Sequence, residues 1–147
     1  MKPRKDFDEC VNNNKLIETG DKDISMVKEL LRLAEHRLEF WGIVKDKSNK
    51  YPSLFIEGHY EIIKELCTAI LALEGWKALD HECLFAYLKS KKSGLEIDYD
   101  YLLELKDTRN SIDYRGIIVS HDIWKNNEIN IKLTISALMG YLKSKVN

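Results

Sequence analysis

The sequence has little of what marks β-rich, disordered or membrane-spanning chains. It contains 7 glycines and 2 prolines in 147 residues, too few turn-forming residues for many short strands. Its composition, 44% hydrophobic and 32% charged, is too apolar for a disordered chain. No stretch approaches the roughly 20 consecutive apolar residues that a membrane span needs. We therefore expect one helical domain over residues 1–147, soluble in the cytoplasm and without membrane contact.

An excess of charge of either sign is also absent, since 23 Lys and Arg stand against 24 Asp and Glu, for a formal net charge of −1. A chain without a net basic field does not attract nucleic acid at long range, so any RNA contact has to be local. The three cysteines, Cys10, Cys67 and Cys83, show neither C-x-x-C spacing nor a paired histidine, which argues against a zinc site. We expect reduced, structural thiols and neither a metal nor a cofactor.

Apolar residues recur at the spacing of one helix face in five segments. The predicted helices cover residues 23–45, 53–75, 80–91, 98–116 and 120–147, and the third is a short strap between longer rods. Asp23 and Ser53 are the expected N-caps of the first two helices, and Gly75 ends the second. The connections are short, which favours antiparallel neighbours. The sequence thus predicts an all-α, up-and-down bundle of four to five helices.

Two segments are not expected to belong to these helices. Residues 1–22 are predicted to form an N-terminal arm that lies over the side of the bundle, in which Phe7 and Cys10 fit one short helical turn and the asparagine run 12–14 favours a loop. The β-branched run 117–119 favours an extended linker before the last helix.

Two of the histidines, His59 and His81, fall in the second and third predicted helices. His59 lies on the inward stripe of the second helix with Ile62 and Leu66, so we interpret it as a hydrogen-bonded core or interface residue, with a cleft-lining role as the alternative. His81 follows Asp80, the predicted cap of the short helix, and we interpret it as a surface residue. Of the two, only His59 is therefore a candidate binding residue.

The segment L-L-E-L-K-D-T-R-N-S-I-D-Y-R-G, residues 102–116, places an arginine next to the core. Arg109 is four residues after Leu105 and three before Ile112, so it shares or borders their core-facing stripe. A guanidinium there needs a partner, or a solvated cleft in which its planar fork can meet an anion such as a phosphodiester. Asp113, at i+4, is the nearest partner. An intrahelical ion pair beside the core and an anion site both remain open.

Segment 109–116, R-N-S-I-D-Y-R-G, indicates a family resemblance when it is compared together with two sequence blocks upstream. These blocks are E-G-H-Y-E-I-I-K-E-L-C-T-A-I-L-A-L at 57–73 and L-E-G-W-K-A-L-D-H-E-C-L-F-A-Y-L at 73–88. With the length and the helix order, they make the chain resemble archaeal-type HEPN proteins from about residue 7 to residue 145. The resemblance implies a HEPN-like bundle and a homodimer in which two R-N helices face each other across a two-fold axis.

In active members of that family, an Arg, the polar residue after it and a His four to six positions further on cut RNA without a metal. The Arg stabilises charge on the pentavalent phosphate, and the His takes the proton from the 2′-hydroxyl. Arg109 and Asn110 match this pattern. Tyr114 stands in the His slot, and a phenol with a pKa near 10 is a poor general base, although it can donate a hydrogen bond or stack on a base. His121, beyond the helix, is a candidate for a displaced substitute.

The resemblance therefore makes Arg109, Asn110 and Tyr114 the catalytic candidates. The substrate-binding candidates are Arg109, Asn110, Asp113, Tyr114, Arg115 and His59. Some family toxins are silenced when a partner nucleotidyltransferase modifies a Tyr two positions after the His. Gly116 stands at that position, so this regulation is not carried over.

Three functions remain open. The first is a non-catalytic module that binds RNA, a nucleotide or a partner such as a minimal nucleotidyltransferase. The second is a metal-independent endoribonuclease or toxin of a toxin–antitoxin or RNA-processing system, and the third is a helical scaffold without a ligand. We prefer the first, because the missing His removes the proton-transfer group while Arg109 is retained.

Overall fold

The computed structural model describes residues 4–146. It is mostly helical, as predicted, and adds one small sheet. The elements in chain order are α1 (Phe7–Asn12), β1 (Leu16–Glu18), α2 (Ile24–Ile43), α3 (Pro52–Glu74), β2 (Trp76–Ala78), α4 (His81–Lys91), α5 (Tyr99–Arg115) and α6 (His121–Val146), with a 3-10 turn at Lys45–Lys47. The last helix was expected to reach Asn147, which lies outside the described residues.

Helix α3 forms the centre of the fold. It packs against α2, α4, α5 and α6, and its buried residues lie on all sides of the helix rather than on one stripe. The stripe residues Ile62, Leu66 and Ile70 are fully buried, as the periodicity predicts. Ile56, Ile63 and others on the remaining faces are buried too, which is the behaviour of a helix that is apolar all round. The other long helices, α2, α5 and α6, therefore pack around α3.

Short-range signals place most helix ends correctly. The side chains of Asp23, Asp80 and Asp98 accept hydrogen bonds from backbone N–H groups in the first turns of α2, α4 and α5. Gly75 and Gly116 end α3 and α5 with φ of 77° and 66°, a left-handed conformation that glycine adopts without a Cβ clash. These residues fix where α3 stops and where the motif helix α5 stops.

The prediction that Ser53 is the N-cap of α3 is wrong, because the N-cap is Tyr51. Helix α3 begins one residue earlier, at Pro52, where the missing N–H of proline costs nothing. The Ser53 hydroxyl instead accepts a 3.0 Å hydrogen bond from the backbone N–H of Val119. This contact holds the linker between α5 and α6 beside the start of α3.

The N-terminal segment is more ordered than the expected arm, although its residues 1–3 lie outside the described part. Phe7 and Cys10 belong to α1, whose N-cap is Asp6. Strand β1 pairs antiparallel with β2, with Ile17 opposite Lys77, and the helical pattern did not predict either strand. Strands of three residues carry too little alternation to be recognised in the sequence.

The expectation of three reduced thiols is also wrong. Cys10 of α1 and Cys83 of α4 form a disulfide; their Cα atoms are 5.6 Å apart, and the two residues are 73 positions apart in sequence. Their separation hides the pairing in the sequence, and it arises because α1 packs on α4. Cys67 is free and buried in α3, as expected of a structural thiol.

Candidate functional site at the junction of α3, α4 and α5

Helix α5 leaves the core halfway along its length. Its buried residues are Tyr99, Leu102, Leu103 and Leu105, all in the first two turns. From residue 106 onward, no residue of α5 is buried, and Ile112, expected to point inward, is only partly covered. The fold therefore positions the R-N motif at the boundary between the core and solvent.

The side chain of Arg109 contacts four neighbouring side chains. Its Nε atom is 2.9 Å from Asp113 Oδ2, which is the intrahelical ion pair that the i, i+4 spacing predicts. Its Nη1 donates to Asn110 Oδ1 at 3.1 Å. The guanidinium carbon lies 5.5 Å from the centroid of the Tyr60 ring of α3 and 5.9 Å from that of Tyr114. The planar fork is therefore held in one orientation.

These contacts leave part of the guanidinium unused. An arginine has five N–H donors, and neither Asp113 nor Asn110 engages Nη2 of Arg109. Within residues 4–146, the only buried side-chain N or O atoms that lack a hydrogen bond of good geometry are Arg37 Nε and Glu65 Oε2, which form an ion pair with each other at 3.2 Å. Nη2 of Arg109 is not one of them, so it reaches solvent, and the side chain as a whole is 17% exposed.

A carboxyl from α3 joins this group. Burial and a hydrogen bond with Asp113 raise the pKa of Glu57 to about 7, and the positive charge of Arg109 opposes the rise. Two carboxyls and one guanidinium thus share the junction of α3 and α5. Near neutral pH, Glu57 carries a proton part of the time while Asp113 faces Arg109.

His81 is not the simple surface residue that its position beside a cap suggests. It is partly buried, and its Nδ1 lies 2.8 Å from the hydroxyl of Tyr60. Burial lowers the pKa of His81, and the charges of Lys64, Arg109 and Lys106 lower it further. His81 is therefore neutral at neutral pH and lies within electrostatic reach of Arg109.

His59 lies in the core. It is 3% exposed, and its Nδ1 is 2.8 Å from the carbonyl oxygen of Phe55. Its ring packs between Trp41 and Trp124, with centroids 5.4 and 4.7 Å away. Burial lowers the pKa of His59 to about 4. The first interpretation of His59, a hydrogen-bonded core residue, agrees with this position.

The other candidates lie at the end of α5. Tyr114 is 77% exposed, and Arg115 is exposed in the last turn. His121 begins α6, and within the described chain no hydrogen bond or ion pair joins it to Arg109. The fold thus brings Arg109, Asn110, Asp113 and Tyr114 together.

Sequence reasoning missed three residues of this site: Glu57, Tyr60 and His81. Glu57 and Tyr60 are three residues apart on α3, so they share a face with each other, but nothing local indicates that this face meets α5. His81 reaches Tyr60 only because α4 starts beside the middle of α3. The signal that could have found them is the pairing of helices, which a single sequence does not contain.

Among residues 4–146, no three His, Cys, Asp or Glu side chains are grouped so that they could hold a metal ion. No helix in the same range is both long enough and apolar enough to cross a membrane. Searches of family models, curated proteins and solved structures return no match to this chain.

Proposed function

We propose that the protein is a HEPN-type RNA-binding module in which Arg109 contacts a phosphate of the bound strand. Three features support the proposal: the resemblance of segment 109–116, the helical fold, and the position of the motif on the half of α5 that leaves the core. Because the formal net charge is −1, the chain has no long-range positive field, and its affinity for RNA has to come from a local contact.

The observation that carries the proposal is the free edge of Arg109. Asp113, Asn110 and the Tyr60 ring fix the plane of the guanidinium, while Nη2 reaches solvent. A preorganised fork loses less entropy when it meets a phosphate than a mobile one does. Arg109 is therefore suited to bind an anion while it remains paired inside the helix.

Binding without cleavage is the expected activity, because Tyr114 stands in the His slot and is a poor base at neutral pH. Wild-type protein should bind labelled single-stranded RNA in EDTA without cutting it. Arg109→Ala should weaken binding by about tenfold and reduce the salt slope by about one phosphate contact. Arg32→Ala, which changes an exposed arginine on α2, should have no effect. If both variants lose RNA affinity equally, or if neither loses it, Arg109 is not part of the binding site.

The alternative activity, metal-independent cleavage, can be tested by restoring the missing group. Tyr114→His should create or raise cleavage in EDTA, and adding Arg109→Ala should abolish it, because the charge on the phosphorane loses its counter-ion. If the unmodified protein already cuts RNA rapidly and Arg109→Ala leaves that rate unchanged, neither the binding module nor this site is correct.

The proposed assembly is a two-fold homodimer through the end of α5. Exposed apolar side chains lie there: Tyr114 belongs to the motif segment, and Ile117 and Ile118 follow it. The Ser53–Val119 hydrogen bond brings this linker beside exposed Leu54. Ile118→Asp should therefore convert a dimer to a monomer in light scattering. The control is Ile129→Asp, which alters a similarly exposed isoleucine on α6. A 17.2 kDa monomer of the unmodified chain at micromolar concentration would exclude this assembly.

A further inference from the structure

The pair formed by Tyr60 and His81 fixes which nitrogen of His81 carries the proton. Tyr60 is completely buried, and within the described residues the only hydrogen-bond partner of its hydroxyl is Nδ1 of His81. If Nδ1 carried the proton, the phenolic O–H would be left buried without an acceptor, which is costly. Burial also raises the pKa of Tyr60, so the phenol keeps its proton. The hydroxyl therefore donates to Nδ1, and the neutral ring carries its proton on Nε2.

The Nε2–H group of His81 is open to a ligand. It has no hydrogen-bond partner among residues 4–146, and it is not among the atoms that are buried and unpartnered. It therefore reaches solvent. A fixed N–H donor that stays neutral is unable to act as a general base, but it can donate to an oxyanion without first taking up a proton.

His81 borders a cavity of about 550 Å³. His81 and Lys64 both line it, together with Thr68, Trp76 and Leu84. The ammonium group of Lys64 is 2.6 Å from Glu61, which engages one of its three donors. A cation and a histidine that carries a neutral N–H donor thus line the same cavity, as do Asp21, Asp23 and Asp80.

The face of α3 that carries Lys64 also carries Tyr60, a neighbour of Arg109. Tyr60 and Lys64 are four residues apart on α3, so they lie on one face of the helix. The centroid of the Tyr60 ring lies 5.5 Å from the guanidinium carbon of Arg109 and 5.7 Å from the centroid of the His81 ring. The guanidinium carbon of Arg109 and the centroid of the His81 ring are therefore at most about 11 Å apart. Consecutive phosphates of one strand can meet two groups at such a spacing.

We propose that His81 Nε2–H and the ammonium group of Lys64 form a second phosphate subsite, next to that of Arg109, at the entrance of this cavity. The ligand is the phosphate group of single-stranded RNA or of a nucleotide. The subsite rests on the proposed RNA-binding function, which it extends from one phosphate contact to two.

Two substitutions of His81 separate its two nitrogens. The side-chain oxygen of Asn takes the place of Nδ1, so His81→Asn keeps an acceptor for Tyr60 and loses the outer donor. The amide nitrogen of Gln reaches the place of Nε2, so His81→Gln keeps the outer donor and loses the acceptor. If His81 acts only through Tyr60, His81→Gln is the more damaging variant. If His81 binds the ligand, His81→Asn is the more damaging variant for binding.

The assay is fluorescence anisotropy with a labelled single-stranded RNA, alongside thermal unfolding. His81→Asn should weaken binding by about 5- to 10-fold at an unchanged unfolding midpoint, since one hydrogen bond to an ionised group is lost. His81→Gln should bind within about twofold of wild type and unfold about 3–6 °C lower. If His81→Asn binds like wild type while Arg109→Ala does not, the second subsite is wrong and the proposed function stands.

A second measurement distinguishes failure of the subsite from failure of the proposed function. Imidazole ¹⁵N spectra should show His81 as the Nε2–H tautomer, and Tyr60→Phe should abolish that preference. If wild type binds no RNA, the proposed function fails, and titration with inorganic phosphate then decides the subsite. A shift of the His81 ¹⁵Nε2 signal that Lys64→Gln removes supports it. An unmoved signal, or an Nδ1–H tautomer, overturns it.

Discussion

The proton held by Glu57 makes the stability of this fold depend on pH. Its folded-state pKa is about 7, against an ordinary value of 4.5, so the folded chain binds more protons than the unfolded chain between these values. Stability from this group is fully present below about pH 4.5 and is lost as the pH rises through about 7. The shift corresponds to about 3 kcal/mol, which solvent screening at a partly exposed site reduces to about 1–3 kcal/mol.

Glu57→Gln removes the titrating group and keeps a side chain that can donate a hydrogen bond to Asp113. Urea unfolding at a series of pH values between about 5 and 8 should show a smaller fall in free energy for the variant, which becomes the more stable protein at the upper end. Glu39→Gln, at an exposed position of α2, should leave the wild-type slope unchanged. Parallel curves for wild type and Glu57→Gln would refute the assignment of the proton to Glu57.

Three further predictions concern the fold. Gly58→Ala should destabilise by about 1–3 kcal/mol in urea unfolding, because the new Cβ would lie 2.0 Å from an indole atom of α2; Gly140→Ala, with no atom within 4 Å, should be neutral or stabilising. Leu66→Ala should cost about 2–5 kcal/mol, and a smaller loss would contradict its place in the core. Replacing both Cys10 and Cys83 by Ala should cost about 4 kcal/mol from the 73-residue loop, unless thiol titration finds the unfolded wild type already reduced.

The parts of the fold that depend on neighbouring residues were predictable from the sequence. Asp23 and Gly75 illustrate this, because a cap or a left-handed end is decided by one residue and the turn beside it. The ion pair between Arg109 and Asp113 belongs to the same class, since it lies within a single helical turn. Such features need no knowledge of which helices meet.

The parts that were missed depend on contacts between distant segments. The disulfide of Cys10 and Cys83 joins residues 73 positions apart, and α1 reaches α4 only in the folded chain. His81 was assigned to the surface because a residue after a cap is usually exposed, and the position of Tyr60 on α3 overrides that expectation. Both misses have the same cause: periodicity indicates which face of a helix is buried, but not what covers it.

The junction of α3 and α5 is an expensive place for polar groups. Replacing a partly buried ion pair by apolar residues of similar volume is often neutral or stabilising, so stability alone is a weak reason for Arg109 and Asp113 to be there. An apolar pair would close the junction with less desolvation. It would also lose the solvent-facing Nη2 atom and the cation beside Tyr60. The groups that are most costly to bury at this junction are therefore the ones that leave donors free for an anion, and the proposed anion binding by Arg109 accounts for that coincidence.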